Sequence, residues 1–261
     1  MDILETIAER TRERVAARKK ELPLEKLMEM AAQCGAGDDF PFEKALRRDD
    51  VAFICEVKKA SPSKGVIAED YPYVAIAREY EAAGAAAVSV LTEPYFFMGD
   101  DSHLREISES VGIPLLRKDF TVDSYMIYEA KMLGADAVLL ICAIMREETL
   151  AEYIGVAHGI GLSCLVEAHD GHEVNMALAA GARVIGVNNR NLKTFEIDTA
   201  NSIRLRELAP PDVAFVSESG IKTAHDVDML RKNKVNAVLV GETLMRAKDK
   251  KTALRELREL S

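Results

Sequence analysis

Glu56 and Lys58 stand two residues apart at the end of an apolar stretch in which Val51, Phe53, Ile54 and Val57 supply strand character. That spacing puts both side chains on one face of a strand. An acid and an amine together inside an apolar run are costly unless they have work to do. Ser61-Pro62-Ser63-Lys64-Gly65 follows at once, a loop of hydroxyls and positive charge suited to an anion. A solvated strand end carrying a surface ion pair is the competing reading, and the rest of the chain decides between them. The same kinds of residue recur at later strand ends: Leu91-Thr92-Glu93, Arg117-Lys118-Asp119-Phe120, Glu167, Asn188-Asn189-Arg190-Asn191, Glu218-Ser219-Gly220 and Gly241-Glu242. Carboxylates and amines gathered at one place can exchange protons with a substrate. Mutual repulsion of the cations is expected to lower a lysine's pKa toward neutrality, and carboxylates in the same semi-apolar place are expected to be pushed toward base strength.

These residues need elements that end side by side. Strand-like runs occur at 51–58, 85–91, 113–117, 136–142, 162–167, 183–188, 213–217 and 236–240. Segments with helical spacing lie between and after them, at about 71–84, 101–110, 123–134, 146–159, 171–181, 199–209, 223–233 and 243–259. Gly84-Ala85, Gly134-Ala135 and Gly181-Ala182 read as helix-stop glycines that lead straight into the next strand. Eight strand–helix units without a linker predict an α/β fold of the (β/α)8 TIM-barrel type, a single domain over 1–261. A doubly wound dinucleotide-binding sheet would carry a glycine-rich turn after its first strand, and Ser-Pro-Ser-Lys-Gly stands there instead; Gly159-Ile-Gly161 falls between a helix and a strand and is turn chemistry. Residues 1–50 form an N-terminal helical extension. Ile3, Leu4 and Ile7 mark a face of one helix running to Lys20, Pro23 opens a second with Leu24, Leu27, Met28 and Ala31, and Cys34–Asp39 closes it. The extension is expected to pack across one end of the barrel.

In such a barrel the chemistry belongs at the C-terminal ends of the strands, and glycines after strands seven and eight commonly hold phosphate through backbone N–H groups. Val216–Ile221 and Leu239–Met245 meet that description. The five histidines are dispersed, with His169 and His172 expected at the surface, so no metal site is expected. Tyr95-Phe96-Phe97 can either line the mouth and stack on a planar ring or simply pack under a loop. The expectation is cofactor-free general acid–base chemistry on a phosphorylated small molecule.

Composition agrees. The net charge of −9 argues against nucleic acid or an anionic membrane as partner. Four scattered cysteines without C-x-x-C spacing point to a reduced, cytoplasmic protein. No apolar run is long enough for a bilayer, the longest being Val138–Met145. The sequence leaves the oligomeric state open, with a monomer as the default.

The motifs resemble those of the indole-3-glycerol-phosphate synthase family. The resemblance runs in order through C-E-V-K-K-A-S-P-S-K-G, L-T-E-P-Y-F-F, L-R-K-D-F, L-V-E-A-H-D, G-V-N-N-R-N-L, S-E-S-G-I and L-V-G-E-T-L-M, each at a strand end. It implies a carboxy-lyase of tryptophan biosynthesis. Its substrate would be 1-(2-carboxyphenylamino)-1-deoxyribulose 5-phosphate, closed, decarboxylated and dehydrated to indole-3-glycerol phosphate without a cofactor. The resemblance makes Lys118 the proton donor and Glu167 the general base, with Lys58 and Asn188 orienting the anthranilate carboxylate and developing charge. Glu56 and Glu218 would hold the lysines and substrate hydroxyls. Ser61, Gly220, Gly241 and the Glu242 backbone would take the phosphate with Ser219 alongside, while Arg190, Phe97 and Phe120 would complete the substrate contacts. Ala60 stands where some relatives carry a basic residue, which shifts the expected charge neutralisation to Lys59 or Lys64. Glu242 is expected to turn its side chain away.

Overall fold

The computed structural model describes residues 3–35, 37–191, 194 and 196–259. Ala36, in the segment that closes the second helix, and Leu192, which ends one of the motif strings, lie outside them. The chain opens with α1 (Ile3–Glu21), α2 (Leu24–Gln33) and α3 (Pro41–Leu46), followed by β1 (Ala52–Val57) and a small hairpin of β2 (Ala60–Ser61) and β3 (Gly65–Val66). Helix and strand then alternate: α4 (Tyr73–Ala82), β4 (Ala87–Leu91), α5 (Asp101–Ser108), β5 (Leu115–Lys118), α6 (Tyr125–Met132) and β6 (Ala137–Ile141). The second half continues with α7 (Glu147–Gly159), β7 (Ser163–Ala168), α8 (Gly171–Ala179), β8 (Val184–Asn188), α9 (Ala200–Arg206) and β9 (Ala214–Glu218). It ends with α10 (Ala224–Lys232), β10 (Ala237–Val240), α11 (Glu242–Arg246) and α12 (Lys250–Arg258).

Among the described residues, β1 and β4 to β10 pair in parallel and close into a barrel, β1 contacting both β4 and β10. The expected (β/α)8 architecture is therefore present. Two differences from the sequence reading are local. The loop after β1 is pinched into the β2–β3 hairpin, and the single helix expected over 243–259 is broken at Ala247–Asp249, where the Asp249 side chain accepts from Thr252 N–H and starts a new helix. A third short helix, 41–46, also precedes the barrel. The three helix-stop glycines have φ of +82° to +86°, a region open to glycine, and the next residue's N–H bonds back to the carbonyl five residues earlier in each case (Ala85 to Tyr80, Ala135 to Ala130, Ala182 to Ala177).

Strand alternation separates two apolar layers. Phe53, Cys55 and Val57 of β1, Val88 and Val90 of β4, and Val138 and Leu140 of β6 face the helices. Ala52 and Ile54, Leu116, Leu139, Leu165, Val184, Val216 and Leu239 fill the barrel interior. Carrying that inward phase to the strand ends brings in Glu56, Lys118, Glu167, Asn188 and Glu218 in turn. The apolar layers thus fix where the ionisable groups point.

The N-terminal extension closes both ends. Phe42 and Leu46 of α3 join the interior cluster from the end where the strands begin, near Arg183, which pairs with Glu43 at 2.8 Å. Helix α1 crosses the opposite end, with Ile3, Leu4 and Ile7 packed on the same interior cluster. Its polar face is bolted down. Arg14 donates to both oxygens of Asp119 at 2.8 and 2.9 Å, and Arg18 pairs with Asp101 at 2.5 Å and Glu129 at 2.6 Å. Arg117, pointing out of the barrel from β5, joins Asp101 and Glu129 at 2.8 and 2.7 Å. The three guanidinium groups thereby match three carboxylates, so each buried charge has a partner.

Replacing Arg14 with Leu takes the two-pronged partner from the buried Asp119 carboxylate, leaving it Thr92 Oγ1, the Phe120 N–H and Arg117 at 3.8 Å, and is expected to cost about 3 kcal/mol of stability. Urea unfolding of the variant checks this, and an unchanged midpoint would show that the Arg14–Asp119 pair does not hold α1.

Candidate active site

A cavity of about 410 Å³ opens at the C-terminal end of the barrel strands, under α1. Every residue singled out from the sequence as catalytic or substrate-binding borders it: Glu56, Lys58, Ser61, Phe97, Lys118, Phe120, Glu167, Asn188, Arg190, Glu218, Ser219, Gly220, Gly241 and Glu242. Ile3, Leu4 and Ile7 border it too. Their apolar spacing was legible in the sequence; their place over the mouth was not, because nothing local ties a leading helix to one end of a barrel.

Lys118 lies at the centre. Its ammonium is 3.6 Å from Glu167 Oε2 and 3.9 Å from Glu218 Oε2. Glu56 is paired with Lys58, and Asn188 Nδ2 donates to Glu167 Oε1 at 3.4 Å. The three carboxylates are almost wholly buried. Burial alone would lower the Lys118 pKa, but Glu167, Glu218 and Glu56 outweigh it and hold the ammonium well above the usual lysine range. This corrects the expectation from cation repulsion: carboxylates, not other cations, are the near neighbours. The carboxylates divide. Burial beside Glu167 pushes Glu218 up to about 8 against the pull of Lys118. Burial also works against ionised Glu56, yet Lys58, Lys118 and Arg190 bring its pKa below the ordinary value.

Two glycines make room for these acids. A Cβ on Gly186 would come within 2.1 Å of Glu218 Oε1, and one on Gly241 within 2.3 Å of Glu56 Oε2. The barrel wall is therefore bare of side chains where carboxylates lie against it. Glu218 Oε1 is buried without a hydrogen-bond partner, an arrangement suited to a carboxyl group that holds its own proton near neutrality.

The far rim is built of loop backbone. Ser219 and Gly220 after β9 both adopt the left-handed region, at φ +68° and +86°. Asn189 holds this turn: its Nδ2 donates to Ser217 Oγ at 3.0 Å and to the Ser219 carbonyl at 3.1 Å, while its Oδ1 accepts from Ser202 N–H and Oγ. A non-glycine residue kept in that region marks a turn whose N–H direction matters. Gly220 admits no Cβ there, since one would fall 2.5 Å from Ile197 Cγ2. Glu242 is drawn toward Arg246 at 3.0 Å and Lys64 at 4.0 Å.

The aromatic stretch divides as well. Tyr95 is exposed, whereas Phe97 faces the cavity 6.3 Å from the Phe120 ring, centroid to centroid. Buried Glu93 sets this loop, accepting from the N–H groups of Tyr95, Phe96 and Phe97 at 2.7 to 3.0 Å. His169 is not on the surface as expected from the sequence. It lies half-buried beside Glu167, because the loop between β7 and α8 folds its ring inward. His172 is exposed. Among the described residues no group of three His, Cys, Asp or Glu side chains is arranged to hold a metal ion, and no helix is long and apolar enough to cross a membrane.

A family model described as indole-3-glycerol phosphate synthase matches residues 4–257. The indole-3-glycerol phosphate synthase of Ruminiclostridium cellulolyticum is 57% identical over 256 residues, covering 98% of each chain. That of Lachnoclostridium phytofermentans is 51% identical with 99% of each covered. Among solved structures, the thiamine phosphate pyrophosphorylase of Pyrococcus furiosus shares the fold with a TM-score of 0.58 at 17% identity, over 83% of this chain and 95% of its own.

Glu218→Gln is expected to raise stability at alkaline pH. A carboxyl whose folded pKa is raised keeps a proton that the unfolded chain releases, so it costs stability as pH climbs from about 4.5 toward 8. The variant should gain about 2 kcal/mol at pH 8, a Tm rise of roughly 4–8 °C, and less at pH 5. Calorimetry at the two pH values decides it; a difference independent of pH would place the Glu218 proton elsewhere.

Proposed function

The chain belongs to the indole-3-glycerol phosphate synthase family, and on that premise we propose that it converts 1-(2-carboxyphenylamino)-1-deoxyribulose 5-phosphate to indole-3-glycerol phosphate, carbon dioxide and water by proton transfer from its own side chains. The observation that carries the reading is one ammonium, Lys118, set between two carboxylates beneath a cavity with an aromatic wall and a rim of loop backbone.

In this reading the phosphate lies against Ser61 and the backbone of Ser219, Gly220, Gly241 and Glu242, at the start of α11. Glu242 turns its own charge toward Arg246, and Lys64 is close enough to share the phosphate's charge. The anthranilate ring occupies the slot between Phe97 and Phe120, its carboxylate directed to Lys58, Asn188 and Arg190. Lys118 donates to the ketone oxygen, which makes that carbon electrophilic toward the ring carbon bearing the carboxylate. The new carbon–carbon bond forms, and loss of carbon dioxide returns its bonding pair to the ring system. Lys118, reprotonated from solvent, then gives a proton to the hydroxyl, which departs as water. Glu167 takes a proton from the methylene carbon beside the nitrogen, so that the aromatic indole forms with its N–H retained. Glu56 holds Lys58, and Glu218 supplies the third carboxyl around Lys118. The raised pKa keeps the amine protonated at neutral pH, and transfer is possible because the alkoxide that develops on the ketone oxygen is a stronger base than the amine.

The reaction calls for no cofactor, and the substrate is a small phosphorylated molecule. A biosynthetic role of this kind belongs in the cytoplasm, in keeping with free, mostly buried cysteines at Cys55, Cys142 and Cys164.

Mixing the protein with the carboxyphenylamino-deoxyribulose phosphate should produce indole fluorescence, visible because the chain has no tryptophan. Absence of that signal at any pH between 6 and 9 would overturn the reading. Lys118→Met should lower kcat at least a thousandfold, and Glu167→Gln should cripple turnover while leaving substrate affinity within about tenfold. A Lys118 variant with most of its activity would move the donor role to Lys58.

A further inference from the structure

We propose that His169 is a positioning residue for Glu167, holding one oxygen of that carboxylate from behind as an imidazolium that is itself anchored by Glu173. The proposal rests on the role given to Glu167 above and deepens it.

The loop from β7 to α8 fixes the histidine on both sides. Asp170 caps α8 by accepting from Glu173 N–H at 2.9 Å, and Glu173 Oε2 accepts in return from the His169 N–H at 2.7 Å. The same Glu173 oxygen lies 3.0 Å from His169 Nδ1. Asn201 of α9 donates to the His169 carbonyl at 3.0 Å. With backbone and Nδ1 both tied, the ring has one direction left to offer, and Nε2 is aimed at Glu167 Oε1 from 3.5 Å. That nitrogen is buried and has no hydrogen-bond partner.

The tautomer follows from these contacts. Nδ1 faces a carboxylate and therefore carries hydrogen. A neutral ring would then turn the Nε2 lone pair toward a second carboxylate, which is repulsive. A second proton converts that repulsion into attraction and gives Nε2 a donor within a small rotation of hydrogen-bond distance. Burial disfavours the imidazolium, but the hydrogen bond to Glu173 on α8 and the charges of Glu167 on β7 and Glu173 outweigh it and raise the His169 pKa; Glu218 on β9 also faces the ring and adds to this only once it has lost its proton. Lys118 faces Glu167 from the other side.

The consequence is an unequal pair of oxygens on Glu167. Oε1 is engaged by His169 and by Asn188 Nδ2, whereas Oε2 faces Lys118 and the cavity. The carboxylate is thus held in one rotamer with its free oxygen toward substrate.

His169→Asn in the full-length protein tests this. The expected outcome is a loss of kcat of roughly tenfold with KM changed less than about threefold. The acid limb of the kcat–pH profile should move upward, because His169 no longer places a cation 3.5 Å from Glu167 Oε1. Glu173→Gln, which keeps the shape but removes the anchor's charge, should move the limb the same way by less. An unchanged limb in both variants would overturn the proposal, whatever their stability. A second arm needs no turnover: the His169 ring nitrogens, followed by NMR of nitrogen-15-labelled protein, should titrate above the ordinary histidine value and drop by about one unit in Glu167→Gln. Equal midpoints in parent and variant would overturn the pairing. A parent protein without indole-producing turnover would instead remove the proposed reaction and leave this titration to judge the pair.

Discussion

Three buried carboxylates around one buried ammonium set the terms for the rest of the molecule. Glu56, Glu167 and Glu218 cannot all be charged next to each other in a dry barrel mouth unless cations share the space. Lys118 is the common neighbour, Lys58 takes up Glu56, and Glu218 keeps a proton up to about pH 8. The wall itself is adapted to the arrangement, since Gly186 and Gly241 stand where any side chain would collide with a carboxylate. A mouth of this kind gains little as a stability element and much as a place where one proton more or less changes the preferred charge state.

The fold contributes orientation more than attraction. Inward and outward residues alternate along each strand, and the apolar part of that alternation is what fixes the ionisable part. Ile54 points into the barrel, so Glu56 does as well; Leu165 does, so Glu167 follows. The helix that crosses the top is joined to the barrel by a different device, the Arg14, Arg18 and Arg117 cluster with its matched carboxylates. Arg117 and Lys118 show the division in adjacent residues: the first faces out and fastens α1, the second faces in and meets the carboxylates.

Much of this was legible in the sequence. The strand–helix alternation, the stop glycines and the polar strand ends are local signals, and a strand period of two carries Glu56 and Lys118 to their places. The charge environment of Lys118 was not legible, because it depends on which neighbours are nearest across the barrel, and the register between β5, β7 and β9 is not written in any one of them. His169 was misplaced for a related reason. A histidine at the head of a helix is normally solvated, and here Glu173, four residues on, and Asn201 from α9 turn it inward. The two-part C-terminal helix turns on a single capping aspartate, Asp249, in an otherwise continuous helical pattern.

The central claim is that carboxylates dominate the field at Lys118. Nitrogen-15 NMR of the lysine ammonium groups, assigned through Lys118→Met and followed with pH, measures it directly. The account expects the Lys118 ammonium to remain protonated beyond the ordinary lysine value of 10.5, and to titrate lower once Glu167 or Glu218 is changed to Gln. A midpoint near neutrality in the parent protein would contradict it and restore repulsion among cations as the ruling interaction.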